Sequence, residues 1–336
     1  MLIEAYRRLS EALAARGDAT LPAQEAIRQA AGSLPQPRDA DFLAPRGVEA
    51  TLDHLLGTIV PALTGQNLSG RYYGFVTGSS LPVAEAADNI VSALDQNVQV
   101  HLPGESVATA VEDAALKMLV ALLDLGSPDV WPGRTFTTGA TASNILGLAV
   151  GCEAVVARRL RRGGQTEPGV SVGELGLLAA CQEAGIRRIQ VLTSMGHSSL
   201  SKAAGVVGLG RAAVKELPLG EDEPWRLDLD AVERELSTDG VASIIAVGAG
   251  EVNTGRFAVT RTEMSRLRSL ADAHAAYIHV DGGETSGHRL PVEVLIDQRL
   301  AFLHGACHGQ PNSRIFMNAS MAWNSPTASQ SMDTNS

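Results

Sequence analysis

The chain has little lysine and a strongly negative charge balance. Its 336 residues carry a net charge of −10, and the only lysines are Lys117, Lys202 and Lys215. A nucleic-acid partner is therefore not expected, because phosphate contacts need clustered Lys and Arg side chains. Aromatic residues make up only 4%, yet hydrophobic residues make up 45%, which is enough for the core of one large domain or of one and a half ordinary ones.

Cysteines and long apolar runs are also scarce. Cys152, Cys181 and Cys307 are too few and too widely spaced for a disulfide framework, which favours a reducing, cytoplasmic compartment. The N-terminal segment contains acidic residues and no continuous apolar stretch, so a signal peptide is not expected. No run of about 18 apolar residues predicts a membrane span. Cys307 lies between His304 and His308, but three residues without a fourth ligand do not predict a metal site.

Helical periodicity dominates the first 70 residues. Apolar residues recur at helical spacing from Leu2 to Leu13, and further helices are predicted over 21–32 and 47–60. These segments predict a helical N-terminal arm over residues 1–70.

Residues 71–283 alternate between β-rich runs and helical patterns. Strands are predicted at 134–139, 187–194, 212–219, 242–250 and 276–281. Helices are predicted at 82–95, 105–125, 140–162, 197–206, 228–237 and 260–275. This alternation predicts an α/β domain with a mostly parallel sheet. The segment 284–336 is polar, shows little periodicity, and is predicted to be a divergent, partly disordered tail.

The strongest local motif is TFTTGATASN, where a predicted strand ends and a helix begins. Small residues at Gly139, Ala140 and Thr141 leave backbone N–H groups accessible at the positive end of the helix dipole. This arrangement predicts an anion site. The alternative is an ordinary turn between strand and helix.

Two further motifs follow predicted strands. Asp281, in YIHVDGG, lies near a strand's carboxyl end, where ligands of open α/β sheets bind, and its carboxylate can pair with a cation or a protonated ring nitrogen. The alternative is a capping or salt-bridged aspartate. His197 can form an aromatic platform for a flat cofactor, or it can simply precede a helix that Ser198 or Ser199 caps.

Two other motifs fail to match known fingerprints. GHSSL lacks the final glycine of a hydrolase nucleophile elbow, so a serine hydrolase is not predicted. GAGEVNTG does not match the G-x-G-x-x-G pattern of nicotinamide-dinucleotide sites.

Taken in order, five motifs resemble the group II pyridoxal-phosphate (PLP) decarboxylases, which include aromatic-amino-acid, glutamate and histidine decarboxylases. The motifs are RYYGFVTGSSLPVAEAADNIVSALDQNVQV, TTGATASN, HSSLSKAA, NTGRF and HVDGG, and the resemblance covers about 45–283. It implies the large α/β domain of the PLP-dependent transferase fold (fold type I), carboxy-lyase activity on an amino acid, and a homodimer in the cytoplasm.

The resemblance also implies roles for individual residues. Gly139, Ala140 and Thr141 would hold the cofactor phosphate, His197 would stack on the pyridine ring, and Asp281 would pair with the ring nitrogen. An ionised carboxylate there keeps the ring protonated, and the positive ring is the electron sink after CO₂ leaves. The segment of Asp95, Gln96 and Asn97 would lie near the substrate.

The sequence departs from the family pattern after Gly283. The family's Schiff-base lysine is expected downstream of the Asp281 strand, but no lysine follows Lys215. The family's small C-terminal domain is also expected to be missing, as in a C-terminally truncated chain. A second departure is GAGEVNTG, where the family tends to have Gly-Thr-Thr. Glu251 and Val252 would change the cofactor's surroundings, and an acidic side chain near the phosphate is unfavourable. Three interpretations remain: a decarboxylase, a non-catalytic PLP-fold protein that pairs with a homologue, and a defective gene product.

Overall fold

The computed structural model describes residues 2–17, 19–70, 72, 80–123, 125–164, 170–251 and 254–282. These residues fall into two compact units that divide between Gln96 and Asn97. Residues 71 and 73–79 of the motif RYYGFVTGSSLPVAEAADNIVSALDQNVQV lie outside the described residues, as do Gly283 and the segment 284–336.

The first unit is helical. Its helices are α1 (Leu2–Arg16), α2 (Gln24–Ser33), α3 (Val48–His54) and α4 (Pro82–Ala93). A π-helical turn, Leu55–Ile59, continues α3, and short 3-10 helices follow at Val60–Ala62 and Gln66–Leu68. An ion pair of 2.6 Å between Arg8 Nη2 and Asp53 Oδ1 links α1 to α3. The helices predicted in this part of the sequence are confirmed, with slightly different ends.

The second unit has α/β architecture. Its helices are α5 (Ala108–Leu122), α6 (Ala140–Arg162), α7 (Val172–Leu175), α8 (Leu177–Glu183), α9 (Ser198–Val206), α10 (Leu229–Leu236) and α11 (Arg261–His274). Its strands are β1 (Arg188–Thr193), β2 (Val214–Glu216), β3 (Val241–Gly248) and β4 (Tyr277–Asp281). Short 3-10 helices occur at Pro128–Val130 and Arg211–Ala213.

The described strands form one parallel sheet in the order β2-β1-β3-β4. Each pair of consecutive strands is connected through a helix, because parallel strands need a crossover rather than a tight turn. Gly248 pairs with Asp281 at the carboxyl ends of β3 and β4. The parallel arrangement therefore brings the carboxyl ends of β1, β3 and β4 to one edge of the sheet.

Apolar side chains cover both faces of this sheet. On one face, Ile245 and Ile278 belong to a cluster with α10, α11 and Trp131. On the other face, Ile244 and Tyr277 belong to a cluster with α6, α8 and α9. The strands read as nearly continuous hydrophobic runs because a parallel sheet is buried on both sides.

Among the described residues, α6 is the one helix long and apolar enough to cross a membrane. It has 23 residues and a mean hydropathy of 1.5 over its most apolar window, of which 50% is buried. A core helix of an α/β domain meets the same criteria, and α6 packs on β3 and β4. Its apolar character is explained by that packing.

A glycine permits the close approach of α6 to the sheet. A Cβ atom on Gly151 would lie 2.8 Å from Ile244 Cδ1 and 3.0 Å from Tyr277 Cδ1. We expect Gly151→Val to lower the free energy of unfolding by about 1–3 kcal/mol, the usual cost of overpacking a core. Urea denaturation followed by circular dichroism measures this change.

A second helical glycine provides the control for that prediction. On α9, a Cβ atom on Gly205 would meet only Arg211 Cγ, at 3.6 Å. Gly205→Ala should leave stability unchanged or raise it by up to about 1 kcal/mol, because alanine is the better helix former. Equal losses of stability in both variants would contradict the close-packing role of Gly151.

One predicted strand is wrong. Residues 134–139 are described, but they form no strand, because no described segment pairs with them. Arg134 instead donates to the Pro128 carbonyl at 3.0 Å and forms an ion pair with Asp113. The short helices α7 and α8 were not predicted. The remaining helices and strands of the second unit are confirmed, apart from shifts at their ends.

Candidate functional site

A cleft of about 430 Å³ lies at the carboxyl edge of the sheet. It is formed by the ends of β1, β3 and β4, the N-termini of α6 and α9, and Phe257. Its lining residues are Ala140, Thr193, Ser194, Met195, Gly196, His197, Ser198, Ser199, Leu200, Ala246, Val247, Gly248, Gly250, Glu251, Phe257 and Asp281. The cleft thus includes three of the five residues predicted to bind the cofactor.

The predicted phosphate turn forms the start of α6. Gly139 is the N-cap residue, with φ 156° and ψ 170°, a region that is essentially restricted to glycine. Gly139 itself has no side chain that could cap the helix. Ala140, the first helical residue, lines the cleft, and Thr141 follows it. Backbone N–H groups and the helix dipole therefore give this end of the helix a positive potential toward an anion.

His197 is itself the cap of α9. Its Nδ1 accepts a hydrogen bond from the Ser199 backbone N–H at 3.2 Å and lies 2.7 Å from Ser199 Oγ. The expectation that Ser198 or Ser199 caps this helix is therefore wrong, because the imidazole nitrogen already occupies the acceptor position of an N-cap side chain. The imidazole ring is exposed and lines the cleft, so a flat ligand can reach it.

Asp281 ends β4 and points its carboxylate toward a buried asparagine. Asn144 Nδ2 donates to Asp281 Oδ2 at 2.9 Å and to Ser199 Oγ at 3.0 Å. Asn144 Oδ1 lies 2.6 Å from His279 Nε2. Asn144 and His279 are both fully buried at 0% exposure. Sequence analysis did not select Asn144, although it lies within the phosphate-turn motif TTGATASN.

His279 is held as a neutral ring. Burial lowers the pKa of His279 below its ordinary value, although the neighbouring Asp281 carboxylate acts in the opposite direction. Among the described residues, nothing forms a hydrogen bond with His279 Nδ1. A proton on that nitrogen would therefore bring an uncompensated charge into the core.

Acidification should destabilise the fold through His279. Below about pH 6.5 the unfolded histidine binds a proton that the folded one does not, so the free energy of unfolding falls as the pH decreases. We expect a contribution of up to about 1.4 kcal/mol per pH unit, lost as the pH falls below 6.5 toward the lowered folded-state pKa. Urea titrations at a series of pH values measure this slope.

The variant His279→Gln should reduce that slope, since glutamine does not titrate. His274→Gln is the matched control, because His274 lies in the last turn of α11 rather than in the buried strand. A slope that is unchanged in His279→Gln, or reduced equally in His274→Gln, would contradict the role of His279.

The lysines do not line this cleft. Lys117 pairs with Asp113 at 2.8 Å, and Lys215 pairs with Glu235 at 2.5 Å. Lys202 is exposed on α9. No lysine occurs among the described residues that line the cleft.

The predicted substrate segment falls at the boundary of the two units. Asp95 and Gln96 end the first unit, and Asn97 begins the second. Asp95 has a left-handed backbone with φ 50° at the end of the turn after α4. The position of these residues near a substrate remains a prediction.

The chemical groups of the cleft suit PLP. A helix N-terminus suits a phosphate, an imidazole suits the face of a flat ring, and a carboxylate suits a protonated ring nitrogen. Ala140, His197 and Asp281 present these groups to one cleft. Glu251 also lines the cleft, and its Oε1 accepts from the Thr254 N–H at 2.5 Å.

Curated relatives of this chain are decarboxylases. A glutamate decarboxylase-like protein of Gibberella zeae is 24% identical over 254 residues, which cover 74% of this chain and 42% of that protein. Tryptophan decarboxylase 1 of Oryza sativa subsp. japonica is 25% identical over 245 residues, 69% of this chain and 43% of the relative. Aspartate 1-decarboxylase of Aliivibrio fischeri is 27% identical over 260 residues, 72% of this chain and 45% of the relative. The chain thus spans less than half the length of these relatives, and no family model matches it.

Solved structures share the fold of this chain. The glutamate decarboxylase domain of a diaminobutyrate-pyruvate transaminase and L-2,4-diaminobutyrate decarboxylase from Vibrio parahaemolyticus matches with a TM-score of 0.61 and 21% identity, covering 83% of this chain and 57% of that chain. Oryza sativa TDC, solved with PLP, matches with a TM-score of 0.62 and 21% identity, covering 89% of this chain and 60% of that chain. The resemblance to group II PLP decarboxylases and the predicted α/β fold class are therefore confirmed.

Proposed function

We propose that this chain binds pyridoxal 5'-phosphate in the cleft at the carboxyl edge of its sheet. Its fold and its sequence relatives are those of PLP-dependent amino-acid decarboxylases. The observation that carries the proposal is the convergence of the α6 N-terminus, the His197 ring and the Asp281 carboxylate on one cleft. Three separate sequence motifs meet there, and each supplies the group that one part of PLP requires.

Each part of the cofactor would meet a different element of the fold. The backbone N–H groups around Gly139, Ala140 and Thr141 would hold the phosphate, because the α6 dipole favours an anion there. His197 would cover the pyridine ring, and the Asp281 carboxylate would hold a proton on the ring nitrogen. When bound, PLP supplies an electron sink for the electron pair released as a carboxylate leaves as CO₂.

At the level of the reaction, we propose carboxy-lyase activity on an amino acid, with Asp95, Gln96 and Asn97 near the substrate. We also propose a cytoplasmic homodimer. Decarboxylase relatives and the shared fold support the reaction class.

A second candidate is a non-catalytic protein that binds PLP without a covalent bond. The observation that favours it is the placement of the three lysines, all outside the cleft lining. A lysine amine normally attaches PLP to such enzymes. Such a protein would pair with a homologue that supplies the activity.

Titration of the purified chain with PLP tests cofactor binding, followed by absorbance and by quenching of tryptophan fluorescence. Saturable binding supports the proposal, and the absence of saturation up to millimolar PLP would contradict it. Borohydride reduction and mass spectrometry then separate the two candidates. A covalent adduct together with CO₂ release from an amino acid favours the decarboxylase, whereas reversible binding without either favours the non-catalytic protein.

A further inference from the structure

Asn144 connects Asp281, Ser199 and His279 beside the cleft. Its two amide N–H groups reach Asp281 Oδ2 at 2.9 Å and Ser199 Oγ at 3.0 Å, and its Oδ1 lies 2.6 Å from His279 Nε2. Asn144 is 0% exposed and Ser199 is 2% exposed, so water cannot readily replace these bonds. All the hydrogen-bonding groups of this buried amide have partners. Loss of any one partner would cost free energy, because it would leave a buried polar group unsatisfied.

The donors and acceptors in this network have a defined direction. A carboxylate only accepts, so the amide nitrogen of Asn144 must face Asp281. The amide oxygen must then face His279, and His279 Nε2 must carry the proton of the neutral ring. The second amide N–H is donated to Ser199 Oγ, which leaves the Ser199 hydroxyl proton for His197 Nδ1 at 2.7 Å.

We infer that Asn144 is a positioning residue of the cofactor cleft: it orients the Asp281 carboxylate and sets the hydrogen-bonding direction of His279 and Ser199. This inference rests on the proposed binding of PLP. Asp281 lines the cleft, whereas Asn144 does not, so Asn144 would act on the cofactor only through its neighbours.

The arrangement has a physical purpose at the ring nitrogen. A carboxylate that rotates freely spends part of its time pointing away from its partner, and ordering it on binding costs conformational entropy. The bond from Asn144 Nδ2 removes that freedom before the cofactor arrives. The same residue also orients the Ser199 hydroxyl beneath His197, so the ring and the carboxylate are ordered by one side chain.

The variant Asn144→Asp separates positioning from packing. It preserves the shape of the side chain and the acceptor toward His279, but it removes both N–H donors. Two carboxylates would then face each other, and one must move or take up a proton. The titratable groups around the position are Asp281 and His279 on β4, and His197, which is reached through Ser199.

We expect Asn144→Asp to bind PLP about tenfold to a hundredfold more weakly than the wild type near pH 8, the equivalent of one charge-assisted hydrogen bond. Near pH 6 this deficit should shrink, because a protonated carboxyl group again donates to Asp281. The measured quantity is the ratio of the dissociation constants of variant and wild type at each pH.

Leu148→Ala is the matched control. Leu148 lies one turn further along α6, is 0% exposed and does not line the cleft. Its truncation destabilises the same helix but removes no hydrogen bond of Asn144. The ratio of the PLP dissociation constants of Leu148→Ala and wild type should therefore not vary with pH. The inference would be overturned if Asn144→Asp bound PLP as tightly as the wild type at both pH values. It would also be overturned if Leu148→Ala showed the same pH-dependent loss of PLP affinity.

A measurement on the cofactor-free wild type keeps the inference testable if Asn144→Asp fails to fold. Nitrogen-15 NMR of the histidine rings reports which ring nitrogen carries the proton. We expect both His279 and His197 to carry their proton on Nε2 and none on Nδ1. Substitution of single histidines assigns the NMR signals to each ring. A proton on His279 Nδ1 would overturn the inference.

The two readouts also distinguish this inference from the proposed function. A wild type that does not bind PLP contradicts the proposed function, while the ring tautomers still decide whether Asn144 directs the network. If the wild type binds PLP and the Asn144→Asp variant binds it equally well at both pH values, the proposed function is supported. The positioning role of Asn144 is then contradicted.

Discussion

Replacement of Asp281 by Asn is expected to weaken PLP binding at least about tenfold, since a hydrogen bond to a charged group contributes roughly 1.5–3 kcal/mol. The substitution is close to isosteric, and an asparagine oxygen can still accept the bond that Asn144 Nδ2 donates at 2.9 Å. The fold should therefore survive, while the negative charge that would hold a proton on the pyridine nitrogen is lost. Titration of both proteins with PLP at pH 7 to 8, followed by absorbance, measures the effect.

A second carboxylate in the same cleft provides the control. Glu251 also lines the cleft, but an acidic side chain repels a phosphate dianion. Glu251→Gln should therefore leave PLP affinity unchanged or increase it, in contrast to Asp281→Asn. If both substitutions weakened binding equally, a general loss of negative charge would explain the result, and the specific pairing of Asp281 with the ring nitrogen would be wrong.

Truncation of Trp131 should have the largest effect on stability. Trp131 is 1% exposed, and its Nε1 donates to the Leu125 carbonyl at 3.0 Å. Its ring belongs to the core cluster that includes α10 and α11. We expect Trp131→Ala to lower the free energy of unfolding by about 3–5 kcal/mol, through the lost burial and the cavity that remains. Urea denaturation followed by circular dichroism measures it.

Trp225 allows a direct comparison of tryptophan truncations. It is only partly buried, and the Arg256 guanidinium lies over its ring at 4.8 Å from the centroid. Exposed contacts of this kind contribute about 0.5–1 kcal/mol. Trp225→Ala should therefore cost much less than Trp131→Ala. Similar losses in the two variants would show that Trp131 is not a principal core residue.

Local sequence patterns predicted most elements of the second unit. Helix α6 begins and ends where the pattern 140–162 placed it, because Gly139 stops the extended chain and Gly163 follows the last helical turn. The runs that became β1, β3 and β4 are short, apolar and bounded by turn residues, which is the pattern of buried parallel strands. The run 134–139 is rich in β-branched threonine, but it forms no strand among the described residues, because strand pairing depends on a neighbour as well as on composition.

The candidate site was only partly predictable for a related reason. Asp281, His197 and the turn at Gly139 each follow a predicted strand or precede a predicted helix, so a parallel sheet brings them to one edge. The cap of α9 was assigned to the wrong residue, because serine is the commoner N-cap and the imidazole of His197 was not considered as an acceptor.

The sequence by itself determined the order of the elements, the residue types at the edge of the sheet and the scarcity of lysine. Only the tertiary structure decided which of those residues form hydrogen bonds with one another. Asn144 meets His279 and Asp281 across 135 and 137 positions of the chain. Periodicity records which face of an element is buried, but hydrogen bonds between distant elements depend on how α6 packs on β4. That close packing requires the absence of a Cβ atom at Gly151, which would lie 3.0 Å from Tyr277 Cδ1.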